Sequence, residues 1–414
     1  MKKVVLSGMV GNALEWYDYA LFGHFATIIS KHFFPSTDPY VSLIAAFSVF
    51  AAGFFMRPIG AIIFGHIGDR FGRRTALTSS IILMAICTAF FSILPTYEKI
   101  GILAPILLTA IRLLQGISLG GEFSGSIVFI SEYAQKNRAL VASSCLFSAC
   151  IGILVGSFVG TFFSQMLPAG AFEQWGWRVP FVLGVAIGIV GLYIRHNIAE
   201  SPHYSKAKAR GELSTTPIRT VFTKYFGTLL IGTGIYLTVT VPFYTLTVFI
   251  NSFMSKIAGH DLSMSLFINT ISILAMTFLI PLSAYLSDTL GRKPLMVWSA
   301  LAMLLAAYPA FWLLTQDQFI YLLLGQLLFA IPVGFFLGPV PIVLVDLFPI
   351  AVRYTGLSLS YNFAAAFFGG TTPMAATWLI EVSGHKTAPS FYVIACAAIT
   401  LFTLIFYKES RKAK

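Results

Sequence analysis

Gly65-His66-Ile67-Gly68-Asp69-Arg70-Phe71-Gly72-Arg73-Arg74 lies between two long apolar runs, and Ser287-Asp288-Thr289-Leu290-Gly291-Arg292-Lys293 repeats its Asp-x-x-Gly-Arg-Arg/Lys core 219 residues later. That offset is about half of the 414-residue chain. A second pair keeps the same step. Glu132 to Arg138 follows the fourth apolar run and Asp346 to Arg353 follows the tenth, at offsets of 214 and 215. Self-similarity at half the chain length implies two related halves.

Outward from these loops the chain reads as twelve apolar segments, near 5–30, 41–66, 75–94, 100–131, 139–166, 179–195, 225–252, 264–286, 294–314, 319–345, 354–380 and 388–407. A helix of about 20 residues at roughly 1.5 Å per residue crosses a bilayer. Hydrophobic residues make up 57% of the chain and charged ones 10%, against about a quarter charged in soluble domains. Lipid leaves helices or closed barrels as the viable structures, and long runs without alternation select helices. The expected fold is an all-α integral membrane protein of 12 transmembrane helices in two six-helix pseudo-symmetric halves. The halves are residues 1–195 and 225–414, joined by a partly helical cytoplasmic linker over 196–224 that carries Lys206, Lys208, Arg210 and Arg219.

Charge fixes the topology. With both termini on one side, that side receives twenty of the 27 Lys and Arg, among them Arg195, Arg411, Lys412 and Lys414. The other side receives Lys31, Lys99, Arg178, Lys256 and Lys386, while Arg57 and Arg112 stay inside spans. Positive loops face the cytoplasm, so both termini are expected there. The net charge of +11 is thereby explained without nucleic acid. Asn12, Glu15 and Asp18 interrupt the first run, which argues against a cleavable signal. Cys87, Cys145, Cys150 and Cys396 lack metal or redox spacing and read as packing residues.

Five ionisable residues fall well inside spans: Glu15, Asp18, Arg57, Arg112 and Glu122. Each would cost about 2.5–3.5 kcal/mol at the bilayer centre, so they are expected to line a wet cavity and balance one another. Glu15 and Asp18 are three apart and share a helix face. Burial favours a protonated carboxylic acid and a nearby arginine favours the anion; moving the arginine therefore switches protonation. All five lie in spans 1, 2 and 4, which assigns proton handling to the first half. Aromatics interleave them: Trp16, Tyr17 and Tyr19, with Tyr236, Phe243, Tyr244 and Tyr361 in the second half. Aromatic faces with a carboxylate suit a quaternary or secondary amine, and the arginines suit a carboxylate.

The repeated loop suggests a latch. Gly72 and Gly291 allow a positive-φ turn. Asp69 and Asp288, beside Arg70, Arg73 and Arg292, can cap a helix N-terminus and pair with arginine, with Glu132/Arg138 and Asp346/Arg353 as partner clusters. Small residues at spacing four, Ser148, Gly152, Gly156, Gly160 and Ser164 in span 5 and Gly116, Gly120 and Ser124 in span 4, permit close helix approach. Gly116-Ile117-Ser118-Leu119-Gly120 matches a hydrolase elbow in letters, but a strand–turn–helix is what that elbow needs, and here it lies within a span.

The loop at Gly65 to Arg74 resembles the signature loop of the major facilitator superfamily, and the likeness extends along the whole chain. Gly11-Asn12 through Glu15-Trp16-Tyr17-Asp18-Tyr19, Arg57-Pro58-Ile59-Gly60, Arg112 through Gln115-Gly116 to Gly120-Gly121-Glu122, Trp177-Arg178-Val179-Pro180-Phe181, Glu200-Ser201-Pro202, and Val352-Arg353-Tyr354 through Tyr361-Asn362 to Phe368-Gly369-Gly370 resemble its metabolite:proton symporter branch. That branch includes proline/betaine, α-ketoglutarate, citrate and shikimate carriers. The resemblance implies alternating access around a site between two halves and no cofactor beyond a coupling proton. It also implies a small-molecule substrate, a bacterial inner membrane and one chain as the working unit. It makes Arg112 the span-4 arginine associated with proton coupling. Gly156 followed by Ser157, rather than proline, points to symport. The expectation is proton symport of a zwitterion such as proline or glycine betaine, the alternative being a di- or tricarboxylate or related acid. Substrate and proton candidates are Glu15, Tyr17, Asp18, Arg57, Arg112, Gln115, Glu122, Tyr361 and Asn362. Neither an enzyme nor a metal site is expected.

Overall fold

The computed structural model describes residues 2–37 and 39–409. Arg411, Lys412 and Lys414 of the charge census lie outside the described residues. All regular structure among the described residues is helical. Eleven helices there are long and apolar enough to cross a membrane. The twelfth span is the first, Lys2–His24 continued by Ala26–Phe33. It is more polar than the other eleven because Asn12, Glu15 and Asp18 sit mid-helix, and all three are buried inside the bundle. Span 2 is Pro39–Phe55 and Arg57–Arg70. Spans 3 to 6 are Arg73–Ile93, Leu103–Tyr133, Arg138–Met166 and Val179–His196. The linker holds two short helices, Pro202–Ala209 and Pro217–Lys224.

Span 7 begins as Phe226–Tyr244 and widens into π-helical Thr245–Phe249 and Phe253–Ala258, beyond the end set from sequence. Spans 8 and 9 are Leu262–Leu290 and Arg292–Leu313. Span 10 is Phe319–Leu337 and Val340–Leu347, span 11 is Arg353–Ala364 with π-helical Ala365–Gly369 and Thr372–Ser383, and span 12 is Pro389–Phe406. π-Turns concentrate where function demands irregular backbone, and here all three interrupt spans 7 and 11.

Two compact units emerge. One comprises Met1–Tyr133, Ser148–Ile218 and Ile350–Ser358; the other comprises Ala134–Phe147, Arg219–Pro349 and Leu359–Lys414. Compared with a cut at 195 and 225, the start of span 5 groups with the second unit and the start of span 11 with the first. The cause is a reciprocal exchange of helix caps, described below.

The first unit is sealed, at the end opposite the signature loop, by packed rings of Phe22, Phe33, Phe91, Trp177 and Phe181, with Phe91 and Phe181 edge to face at 4.5 Å. Glycines bring its helices close. A side chain at Gly116 would strike the Gly53 carbonyl, and one at Gly120 the Arg57 carbonyl, so span 4 lies directly on span 2. Gly152 and Gly156 sit in the same way on the backbone of Ala13 and Tyr17, which packs span 5 on span 1.

Candidate functional site

Span 1 presents Gly11, Glu15, Asp18 and Phe22 at steps of four, three and four, one stripe of a helix. Asp18 is held by three donors from spans 3 and 4. Thr88 donates to Oδ1 at 3.2 Å, and Arg112 and Gln115 donate to Oδ2 at 3.2 and 3.0 Å. Arg112 also donates to the Gln115 side-chain oxygen at 2.9 Å. Its guanidinium lies 3.7 Å over the Phe22 ring, with Phe91 and Tyr19 at 5.4 and 5.8 Å. A cation on ring faces keeps part of its solvation from the π-systems. Arg112 Nε and Nη2 find no acceptor among the described residues. This guanidinium thus has donors to spare.

A second cluster lies about two turns along span 4. Glu122 pairs with Arg195 through both oxygens, and Ser80 and Ser126 donate to it at 2.6 and 3.3 Å. Arg195 also donates to the carbonyls of Leu77 and Ser7 at 2.5 and 3.2 Å. Gly11 belongs here: a side chain in its place would overlap both Glu122 and Arg195. Arg195 corrects the charge census. Counted there as a cytoplasmic loop charge, it is only 3% exposed and lies inside span 6. The signal was in the sequence, since Gly184, Gly188 and Gly191 form the buried stripe of span 6 and Arg195 is its next position.

Glu15 lies on the span-1 stripe between these two clusters. It is 1% exposed, yet neither carboxylate oxygen has a hydrogen-bond donor among the described residues. Its charged neighbours are Arg57, Glu122 and Arg195. Arg57 is fully buried at the start of the second helix of span 2, with its guanidinium 5.6 Å from the Phe54 ring. With Arg195 included, the first unit buries three acids and three arginines away from the signature loop, beside Asp69, Arg73 and Glu132 at it.

The remaining candidates scatter. Tyr17 donates its hydroxyl to the Pro180 carbonyl at 2.7 Å, tying span 1 to span 6. Tyr361 and Asn362 are buried in the second unit, where the Tyr361 ring meets Tyr236 edge-on at 4.8 Å. Ser118 donates to the Ser80 carbonyl at 2.7 Å and is a helix-packing residue.

The signature loop and its repeat build the same device twice. Gly72 and Gly291 adopt φ of 122° and 102°, open to glycine at little cost. In the first unit, Asp69 accepts from the backbone N–H of Tyr354 and Thr355 at 3.1 and 2.9 Å, the N-terminus of span 11. In the second unit, Asp288 accepts from Ala139 and Leu140 at 3.0 and 3.2 Å, the N-terminus of span 5. A carboxylate there satisfies orphan donors and meets the positive end of the helix dipole. Arg73 pairs with Asp69 at 2.7 Å and with Glu132 at 3.5 Å, and Glu132 also holds Arg353 at 3.3 Å. Asp346 holds Arg138 and Arg292 at 3.0 and 2.6 Å. Arg70 stands apart: its exposed guanidinium lies over Phe71, not on a latch acid.

Two further acids cap helices: Glu200, quoted above only within a resembling segment, and Glu409, which the sequence reading did not single out. Glu200 accepts from the Arg74 N–H at 3.2 Å at the start of span 3. Glu409 accepts from Arg292 and Lys293 at 2.7 and 3.2 Å at the start of span 9. Each follows the last span of its half, and that matching place was the available signal. The linker adds Ser201, which donates to Glu132, and Tyr204, which donates to the Arg70 carbonyl at 2.9 Å and lies 4.9 Å from the Arg73 guanidinium. Burial pushes the Tyr204 phenol above its ordinary range, so it stays a donor.

The sequence profile of the Major Facilitator Superfamily matches residues 8–370 and 233–414, and the chain belongs to that superfamily. It is 34% identical over 420 residues to the glycine betaine/proline/ectoine/pipecolic acid transporter OusA of Dickeya dadantii, covering 99% of this chain and 84% of that protein. Identity to the proline/betaine transporter of Escherichia coli K12 is 32% with the same coverage. Identity to the inner membrane metabolite transport protein YhjE of that strain is 35%, covering 99% of this chain and 94% of that protein. Among solved structures, the proton:xylose symporter XylE bound to 6-bromo-6-deoxy-D-glucose superposes with a TM-score of 0.80 at 20% identity, covering 98% and 94% of the two chains. The human organic anion transporter MFSD10 gives 0.71 at 14%, covering 97% and 99%. The fold is shared with both. The protein is a multi-pass membrane transporter and not an enzyme, and the family operates without a cofactor.

Proposed function

We propose that the protein is a proton-coupled symporter that brings a small zwitterionic osmolyte, of the proline or glycine betaine kind, into the cytoplasm. Its place would be a bacterial inner membrane, with both termini inside and one chain as the working unit. The observation that carries the coupling is Asp18 bound to Arg112 inside the first unit. Arg112 holds Asp18 through Nη1 alone, which leaves Nε and Nη2 for a second carboxylate. A substrate carboxylate competing for that guanidinium leaves Asp18 without its cation, and an acid so stripped takes up a proton. Protonation of Asp18 in turn frees Arg112 for substrate. Each event favours the other, which is what coupling requires. The ring faces of Tyr19, Phe22 and Phe91 shield the site from bulk water. The substrate class rests on the two relatives named for proline and betaine transport.

The caps made by Asp69 and Asp288, with the Arg73, Glu132, Arg353 and Arg138, Asp346, Arg292 ion pairs, are the contacts proposed to break when the cytoplasmic side opens. They are short, charge-assisted and built for exchange between two discrete arrangements.

The test is uptake into proteoliposomes under an imposed inward proton gradient, with labelled proline, glycine betaine, α-ketoglutarate, citrate and shikimate. Accumulation of proline or betaine that collapses with a protonophore supports the reading. Accumulation of an acid in their place transfers the site to organic anions, and accumulation of a zwitterion that ignores the protonophore removes the coupling.

A further inference from the structure

Away from the signature loop, the three buried acids of the first unit are not equivalent. Asp18 accepts from Thr88, Arg112 and Gln115, and Glu122 accepts from Arg195, Ser80 and Ser126. Both have the donors an anion needs. Glu15 has the burial without the donors. An ionised carboxylate removed from water with no compensating hydrogen bond is among the costliest states a side chain can hold, while the neutral acid costs far less. The groups that face Glu15 are known from each packed element. Span 2 offers Arg57, span 4 Glu122 and span 6 Arg195, and Asp18 lies one turn on in the same helix. Spans 3 and 5 carry charge only at their ends, at Arg73, Arg74 and Arg138. Arg195 is committed to Glu122 and to two carbonyls. Arg57 and Arg195 draw Glu15 toward the anion only through space, and neither donates a hydrogen bond to a Glu15 oxygen.

We propose that Glu15 holds the coupling proton in this structure, as a neutral acid set between two arginine-bound carboxylates, and that the Glu122–Arg195 pair is a fixed positioning element. The assignment rests on the symport reading and adds the place where the proton rests before Asp18 takes it up. While Asp18 pairs with Arg112, the proton resides on Glu15. Release breaks the Glu15 O–H bond, leaves the electron pair on the carboxylate and passes the proton, through water, to Asp18 once substrate has drawn Arg112 away. Closer approach of the Arg57 guanidinium is the event that stabilises the resulting anion.

Two measurements on the reconstituted full chain test this. Infrared spectroscopy at neutral pH reads the carbonyl stretch of a protonated carboxyl, separate from the amide bands and shifted in heavy water. The wild type is expected to show that band, Asp18→Asn to keep it, and Glu15→Gln to lose it. In the same preparations, Glu15→Gln is expected to lose proton-driven accumulation entirely, while its thermal midpoint stays at or above the wild-type value because no donor is orphaned. Glu15→Met, neutral and of similar length, carries the same test should Gln misfold. No band in the wild type, or a band that survives in Glu15→Gln, overturns the assignment while leaving symport standing. Wild-type accumulation that ignores the proton gradient fails the symport reading itself, and the coupling role of Glu15 falls with it.

Discussion

The two halves of the chain agree at the signature loops and part company in the membrane. At the loops, Asp69 and Asp288, Glu132 and Asp346, and Glu200 and Glu409 occupy matching places and make matching contacts. In the membrane, the first unit buries Glu15, Asp18, Arg57, Arg112, Glu122 and Arg195. The second builds its polar interior from amides: Asn251 donates to Asn269 at 3.2 Å, Asn269 to Gln326 at 3.1 Å, and Gln326 reaches the Met254 sulfur at 3.1 Å. Amides give hydrogen bonds without a titrating charge. The two halves thus share the loop caps and differ in the membrane, where charge is buried in one and amides in the other.

The largest expected effect strikes at the charged half. Arg195→Gln strands Glu122 as a buried anion and should cost about 3–5 kcal/mol, the range for breaking a buried pair. Thermal unfolding in detergent reads it, and Glu122→Gln with Arg195→Gln should recover most of the loss. A single variant as stable as the double would mean the pair is not coupled. Next come the caps. Asp69→Ala and Asp288→Ala each remove a helix N-cap, an effect of about 0.5–2 kcal/mol. Asp69 is fully buried while the Asp288 side chain is 12% exposed, so the Asp69 change should be the larger by the same assay. Equal effects, or the reverse order, would break the comparison of the two loops.

The amide half should be quieter. Gln326→Leu removes one of the two acceptors of the Asn269 amide, which still donates to the Leu246 carbonyl at 2.7 Å, and should cost about 0.5–1.5 kcal/mol of stability, with the pH profile of uptake unmoved. A shifted profile would place proton handling in both halves. The smallest effect belongs to the exposed pair Lys31–Glu173, at 2.7 Å. The hydrogen bond and charge of Lys31 hold the Glu173 carboxyl below its ordinary value. Its contribution is therefore present above the unfolded value of about 4.3 and lost as pH falls through the depressed one. An exposed pair is worth less than about 1 kcal/mol, so melting of wild type and Glu173→Gln should differ slightly at neutral pH and converge in acid.

Much of this was legible in the sequence. Hydropathy and positive loops give the spans and their number because lipid admits few structures. The loop Asp69–Arg73 and its repeat give the latch because a turn glycine, a capping acid and an arginine are local in the chain. Asp18 and Arg112 announce themselves as charges inside apolar runs. Arg195 did not, because a cation at a span end satisfies the topology rule equally well, and only the glycine stripe before it marks the packed face. The donors to Asp18 and Glu122 come from Thr88 and Ser80 on span 3, residues too common to single out without packing. The exchange of span-5 and span-11 starts between units is a tertiary event with no local signature. Arg70 shows the opposite error, since neighbours in a motif do not all turn the same way.

The central claim, that coupling resides in the charged half, is met most directly by proton movement itself. Proteoliposomes loaded with a pH-sensitive dye and given a downhill pulse of glycine betaine or proline should acidify with the wild-type protein and with Gln326→Leu, and should not with Asp18→Asn. Full acidification by Asp18→Asn would contradict the account.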